Sequence, residues 1–104
     1  MDVTKLSIIK CAKKVPDNIE AIKFNGKNFN EIYAYLRTKA VYSSFIKTKT
    51  LRQVHFFDNF TLKKVNIDNY IVFDPKIRSF EVLPEFEFKE KYIVKGTIYT
   101  EDEA

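Results

Sequence analysis

The sequence predicts an α+β fold: a twisted, mainly antiparallel sheet of about five strands, with one main helix and a short C-terminal helix. Apolar, strand-like runs are separated by turns rich in Asn and Asp, one amphipathic helical pattern follows Asn28, and Pro84 opens a second, shorter helical segment. The 104 residues are 45% hydrophobic and 15% aromatic, which is enough bulky material for one core. We therefore expect a single domain, with residues 1–15 as an N-terminal arm and residues 96–104 as a flexible acidic tail.

The first third of the chain predicts a sheltered strand followed by the main helix. Residues 5–15 fit a strand or an irregular arm equally well, whereas Ile19 to Phe24 is apolar on both faces. Asn28, with Glu31 three residues later, forms a capping-box pattern and predicts a helix from Phe29 to about Thr38. The apolar stripe that should face the sheet consists of Phe29, Ile32, Tyr33 and Leu36.

The middle of the chain predicts a β-rich run over 40–46 and then a hairpin. Thr50 to Phe57 and Phe60 to Ile67 are its strands, closed by Asp58-Asn59. A two-residue loop at this place puts Phe57 opposite Phe60 and His55 opposite Leu62. The face with the larger apolar residues is assigned to the core; it carries Leu51, Phe57, Phe60 and Leu62.

The last third predicts a central strand, a turn, another strand and a short helix. Tyr70 to Phe73 is short and apolar on both faces, as in a central strand. Asp74-Pro75-Lys76 then turns the chain into a strand over 78–83, in which Phe80 and Val82 share a face. Pro84 and the acidic first turn after it start a helix that places Phe88 and Tyr92 four residues apart.

Two segments, IEAIKFNGKNFNEIYAYL and NIDNYIVFDPKIRSFEVLPEFEFKEKY, together with the order of the elements, resemble a family of small tailed-phage and prophage proteins. Its members have an "IEAxxF" strand, a helix, a hairpin, a "PGDYII" strand, a short strand and a closing "F…Y" helix. The matching positions are 19–24, 28–36, 67–71, Phe88 and Tyr92, and the family's Pro-Gly-Asp turn is replaced by Asn66-Ile67-Asp68-Asn69. The resemblance implies a phage accessory protein in the cytoplasm of a bacterial host, acting by binding.

The residue types needed for common catalytic centres are scarce. Cys11 and His55 are the only residues of their kinds, so neither an internal disulfide nor a Cys/His zinc cluster can form. The sequence contains no Gly-rich phosphate loop, Ser elbow or HExxH motif. We expect no enzyme, no metal and no cofactor, and a structural role for His55. No apolar run is long enough to span a bilayer, so we expect no membrane partner.

Nucleic acid is one partner that the sequence allows. Basic residues on the hairpin, next to aromatic ones, could contact phosphates while the rings stack on bases. The candidate residues are Lys47, Lys49, Arg52 and Lys63. The net charge of +4 is modest, however, and half-exposed strands often carry Lys to discourage edge pairing.

A protein partner is the preferred hypothesis, because the chain has more aromatic residues than one small core readily hides. Aromatic side chains, and Tyr above all, are enriched in interfaces. The candidate contact residues are Tyr35, Tyr42, Phe56 and Tyr99. The resemblance to phage proteins implies that the partner is a bacterial host protein of a defence or replication machine; a homodimer, or a self-associating component of the phage particle, stays an alternative.

Overall fold

The computed structural model describes the backbone of residues 3–13 and 19–103 and the side chains of residues 19–92. In this part of the chain eight strands and two helices follow one another: β1 (Val3–Lys13), β2 (Ile19–Lys23), α1 (Phe29–Thr38), β3 (Ser43–Lys47), β4 (Arg52–Asp58), β5 (Thr61–Asn66), β6 (Tyr70–Asp74), β7 (Ser79–Leu83), α2 (Glu85–Lys91) and β8 (Tyr92–Glu103). The strands form a five-stranded sheet in the order β7-β6-β2-β1-β8 and a three-stranded sheet in the order β3-β4-β5. Neighbouring strands run antiparallel in both sheets. The α+β class is confirmed, and the strands divide between two sheets, with the predicted hairpin in the smaller one.

Helix α1 has the predicted bounds, but its start is fixed differently. The Asn28 side chain caps no amide of the helix. Its Oδ1 instead accepts the Asn25 backbone amide at 2.9 Å, and its Nδ2 donates to Glu31 at 2.7 Å. These bonds join the turn at Gly26, where φ is +84°, to the first helical turn. The buried stripe contains Tyr35 where the sequence predicted Tyr33, which is 43% exposed.

The central strands of the larger sheet are covered on both faces, as their apolar sequences predicted. One face packs against α1 and the three-stranded sheet, and Phe73 and Phe80 lie opposite each other there. The other face packs against α2, where the Tyr70 and Phe88 rings stack with centroids 4.0 Å apart. The predicted short helix is confirmed as α2, but it ends at Lys91; Tyr92 begins β8, and its ring stacks with that of Phe88 at 5.5 Å.

Of the strand and the irregular arm that fit the start of the chain equally well, the strand is confirmed as β1, and the segment expected to be a flexible acidic tail lies in its neighbour β8. β1 pairs with β8 along its whole length, with a register shift between Lys10 and Cys11. The register puts Lys5 opposite Glu101, so residues of opposite charge occupy facing positions near the ends of both strands. Long antiparallel pairing satisfies backbone amides and carbonyls that an irregular arm would leave to water. Asp17-Asn18, one of the Asn- and Asp-rich turns that the sequence predicts, lies outside the described residues.

The β4–β5 hairpin closes one residue later than predicted. Its two loop residues are Asn59 and Phe60, with φ of 49° and 65°, as in a type I′ turn. Phe57 consequently lies opposite Leu62, and His55 lies opposite Lys64.

The core face of this hairpin is the opposite of the one predicted. Val54, Phe56 and Val65 are at most 2% exposed and pack against α1 and the larger sheet. The residues assigned to the core all lie at the surface; they are Leu51, Phe57, Phe60 and Leu62. Both faces of the hairpin carry large apolar residues, and the side on which α1 and the larger sheet lie decides which face is buried.

The lengths of the two helices decide whether either of them could cross a membrane. The longer helix of the described residues, α1, has ten residues, and neither described helix is long and apolar enough to cross a bilayer.

Candidate protein-interaction surface

The three-stranded sheet turns to solvent a side that combines large apolar and polar side chains, which we call the outer face. The side chains that form it project from β3, β4, β5 and the residue before β3; they are Tyr42, Ser44, Ile46, Gln53, His55, Phe57, Leu62, Lys64 and Asn66. Tyr42 is 70% exposed and Phe57 is 64% exposed, although both are large aromatic residues. Scattered exposed apolar residues are ordinary, but a contiguous group of them marks an interaction site.

An open groove of about 460 Å³ runs across the outer face. Tyr42, His55, Phe57 and Leu62 contribute its walls, and Ser44 lies between them. Its lining is mostly apolar, with hydroxyl and imidazole groups among the rings. Such a surface can receive apolar side chains of a partner and orient them with a few polar contacts.

A chain of hydrogen bonds orders the polar part of the outer face. His55 Nε2 lies within hydrogen-bond distance of Gln53 Oε1, and Gln53 Nε2 donates to Asn66 Oδ1 at 2.7 Å. Because an amide oxygen can only accept, His55 Nε2 carries the proton in this bond. The half-buried imidazole is therefore held against the sheet, which agrees with a structural role. The sequence predicted that His55 lies on the core-facing side of the hairpin, but its ring lies on the outer face.

The last turn of α1 joins the outer face through Arg37. Its guanidinium lies 4.5 Å from the centroid of the Tyr42 ring and donates to the Tyr33 hydroxyl at 3.0 Å. The hydrogen bond with the Tyr33 hydroxyl is the largest cause that raises the pKa of Arg37, and the electrostatic interaction with Tyr42 is the next. A guanidinium held between two exposed tyrosines combines the residue types that dominate binding energy in protein interfaces.

Phe60, at the tip of the β4–β5 hairpin, has an unusual conformation and environment. Its φ is 65°, in the left-handed region that favours Gly, and its side chain is as exposed as in an extended peptide, at 102%. The conformation costs roughly 1–2 kcal/mol for an L-residue, and the exposed ring gains no burial in return. Strained backbone conformations of this kind cluster at functional sites.

The predicted protein-binding residues are divided by the structure. Tyr42 lies on the outer face, whereas Tyr35 and Phe56 are buried, at 0% and 1% exposure, so predicting them as contact residues was wrong. Tyr35 faces the larger sheet, where its hydroxyl donates to Glu20 Oε1 at 2.9 Å. Tyr99 lies in β8, outside the residues whose side chains are described.

Four residues of the candidate surface were not among the binding residues that the sequence predicts; they are Arg37, Phe57, Phe60 and Leu62. Phe60 carried a usable signal, because Asn-Phe is an uncommon occupant of a tight hairpin turn.

The predicted basic patch is only partly assembled. Lys47 lies opposite Arg52, and Lys49 is exposed in the loop that joins their strands. Arg52 is bound to the protein itself, because its guanidinium donates to the Gly26 carbonyl at 3.0 Å. Lys63 lies opposite Phe56 and so belongs to the core-facing side of the sheet. The four residues therefore do not form one outward patch.

No group of three or more His, Cys, Asp and Glu side chains in the described residues is arranged to hold a metal ion. No protein-family model, curated protein or solved structure matches this chain.

Proposed function

We propose that this protein is a non-enzymatic, phage-encoded accessory protein that binds a bacterial host protein through the outer face. The observation that carries the proposal is the exposed pair Phe57 and Leu62, which lie opposite each other beneath the strained Phe60 turn. The phage origin and the bacterial host come from the resemblance of residues 19–92 to small phage proteins.

The energetics favour an interface over a stabilising role. Fully burying a Phe or Leu side chain is worth about 1.5–3 kcal/mol, and the isolated chain leaves part of that gain unused at Phe57, which is 64% exposed, and at Leu62, which is 43% exposed. A partner that covers the outer face would gain part of it. The rigid β-ladder also holds these side chains in place, which lowers the entropy lost on binding.

Inhibition is the effect that such binding would have on a defence or replication enzyme. A small domain that covers a functional surface blocks the larger partner without any chemistry of its own. Binding in the host cytoplasm fits this role.

Affinity capture from a nuclease-treated bacterial lysate, at low and high salt, tests the proposal. We expect the wild type to retain a host protein and the Phe57→Ser, Leu62→Ser double variant to lose it. Phe86→Ser is the matched control, because Phe86 is also 64% exposed but lies on α2. Equal retention by all three proteins would exclude the outer face as the binding surface.

A nucleic-acid partner is a second candidate, supported by the exposed Lys47 and Lys49 at one end of the β3–β4 hairpin. Phosphate contacts would make this binding strongly salt-dependent. The Lys47→Glu, Lys49→Glu variant should then abolish retention of nucleic acid by the protein. If the wild type retains no nucleic acid from a lysate without nuclease, or this variant retains as much as the wild type, the second candidate is removed.

A further inference from the structure

The outer face carries positive charge and no acidic side chain. Its outward positions include Lys64, and the other polar side chains on this side are Ser44, Gln53, His55 and Asn66, none of which is acidic. Arg37 adds a second cation where the ring of Tyr42 meets the helix, 4.5 Å from the ring centroid. The apolar groove is therefore bordered by cations on two sides.

The nearest carboxylate in sequence does not offset these charges. Asp58 ends β4 on the core-facing side of the sheet, and its Oδ2 accepts the Phe80 backbone amide at 3.0 Å. Among the side chains of residues 19–92, the ion pairs involve Lys23, Lys39 and Lys91, and neither Arg37 nor Lys64 takes part in one. The positive potential at the groove is thus available to a partner.

We propose that the outer face binds an acidic protein segment whose apolar side chains enter the groove between Tyr42, Phe57 and Leu62 while its carboxylates meet Arg37 and Lys64. This inference rests on the proposed function and specifies the chemistry of the partner. Apolar anchors supply the affinity, and the cations select the segment and steer its approach.

Two other occupants fit the surface less well. Single-stranded nucleic acid would stack on the rings, but Leu62 and Ile46 offer neither a stacking plane nor a hydrogen bond to a base. A second copy in a twofold arrangement would bring the same cations onto the same face, so Lys64 and Arg37 would meet their own like charges. An acidic segment satisfies the apolar and the charged parts of the surface together.

Selection from a displayed library of short random peptides tests the chemistry. The full-length protein is the bait, and peptides that also bind the Phe57→Ser, Leu62→Ser variant are removed. We expect the enriched peptides to combine Asp or Glu with large apolar residues. Their affinity, measured by fluorescence anisotropy, should fall about tenfold or more in the Arg37→Glu, Lys64→Glu variant. Lys27→Glu with Lys76→Glu is the control, since both lysines are exposed elsewhere; it makes the same change in net charge and should leave the affinity within about twofold.

The outcomes separate this inference from the proposed function. The inference about charge would be overturned if the peptides that depend on Phe57 carry no excess of acidic residues. It would also be overturned if their affinity is unchanged when the charges of Arg37 and Lys64 are reversed. The outer face would then remain a protein-binding surface. Failure to obtain any peptide that depends on Phe57 and Leu62 would overturn both. If a thymidine oligonucleotide binds more tightly than the selected peptides, and its binding depends on Phe57, the proposed acidic segment is wrong and the outer face binds nucleic acid. A dimer in sedimentation analysis that Phe57→Ser dissociates would assign the face to a second copy.

Discussion

Phe56 and Phe57 are consecutive in β4, yet Phe56 is 1% exposed and Phe57 is 64% exposed. The Phe56 ring packs edge-on against Phe80 of the larger sheet, with centroids 5.3 Å apart. Phe57 points to the other side of the strand, into the open groove. Alternation along one strand thus separates a residue that holds the two sheets together from one that is available for binding.

The two residues should respond very differently to truncation. Phe56→Ala should lower the free energy of unfolding by about 3–5 kcal/mol, because it removes a ring from a packed core and leaves a cavity. Phe57→Ala should change it by no more than about 0.5 kcal/mol, as is usual at a surface. Urea unfolding followed by circular dichroism measures both. The reverse order of losses would mean that the hairpin buries its other face.

The elements with strong local signals were predictable from the sequence. The bounds of α1, the Asp74-Pro75 turn between β6 and β7, and the Pro84 start of α2 all follow from residue types at fixed spacings. Such signals act over a few residues, and no distant contact is needed to interpret them. The pairing of β1 with β8 joins opposite ends of the chain, so no local pattern could indicate it.

The site was harder to predict, because it departs from the pattern of an ordinary core. In the β4–β5 hairpin, the face that carries Phe57 and Leu62 has as strong an apolar character as the face that carries Phe56 and Val65. Periodicity assigns residues correctly to two faces, but it does not say which face meets the rest of the protein. Places where a sound sequence rule fails tend to be functional, which agrees with the binding role that we propose for the outer face.

Asp58 should contribute to stability through its bond to the edge strand β7. Its carboxylate accepts the Phe80 backbone amide, which would otherwise be a partly buried donor without a partner at the sheet edge. Asp58→Ala should therefore lower the free energy of unfolding by about 1–3 kcal/mol. Asp58→Asn keeps an acceptor oxygen and should lose less. Equal losses in the two variants, measured by urea unfolding, would show that this bond has no net stabilising effect.

Glu85 should make stability depend on pH on the acid side. The hydrogen bond from Lys23 Nζ, 2.8 Å from Glu85 Oε2, lowers the pKa of Glu85, and the Lys23 and Lys89 charges act in the same direction. A lowered folded-state pKa gives stability that is present above the unfolded-state pKa and is lost as the pH falls through the folded-state value. Glu85→Gln should thus be less stable than the wild type at neutral pH, and the difference should close in acid.

Thermal unfolding of both proteins between neutral pH and about pH 3 checks this dependence. Glu87→Gln is the control, because Glu87 is exposed in the same first turn of α2 and forms no ion pair with the described side chains. If the difference in melting temperature between Glu85→Gln and the wild type stays constant across this pH range, the ion pair between Glu85 and Lys23 does not stabilise the fold.

Phe60 should show a conflict between stability and binding. Its left-handed φ of 65° follows the 49° of Asn59, and Asn-Gly is the preferred pair for this type of turn. Phe60→Gly removes the steric cost of the conformation and sacrifices no buried surface, since the ring is fully exposed. The free energy of unfolding should therefore rise by up to about 1 kcal/mol, the relief being reduced by the entropy that Gly adds to the unfolded chain.

The same substitution should weaken capture of the partner, because a ring kept at a strained, solvent-exposed position is best explained by a contact outside the chain. Asn59→Gly changes the turn without removing the ring, so it should leave capture intact. Increased stability with unchanged capture would place Phe60 outside the interface and confine binding to the groove around Phe57. Decreased stability would show that the steric cost of this conformation is smaller than the entropy that Gly adds to the unfolded chain, and the turn would then need no functional explanation.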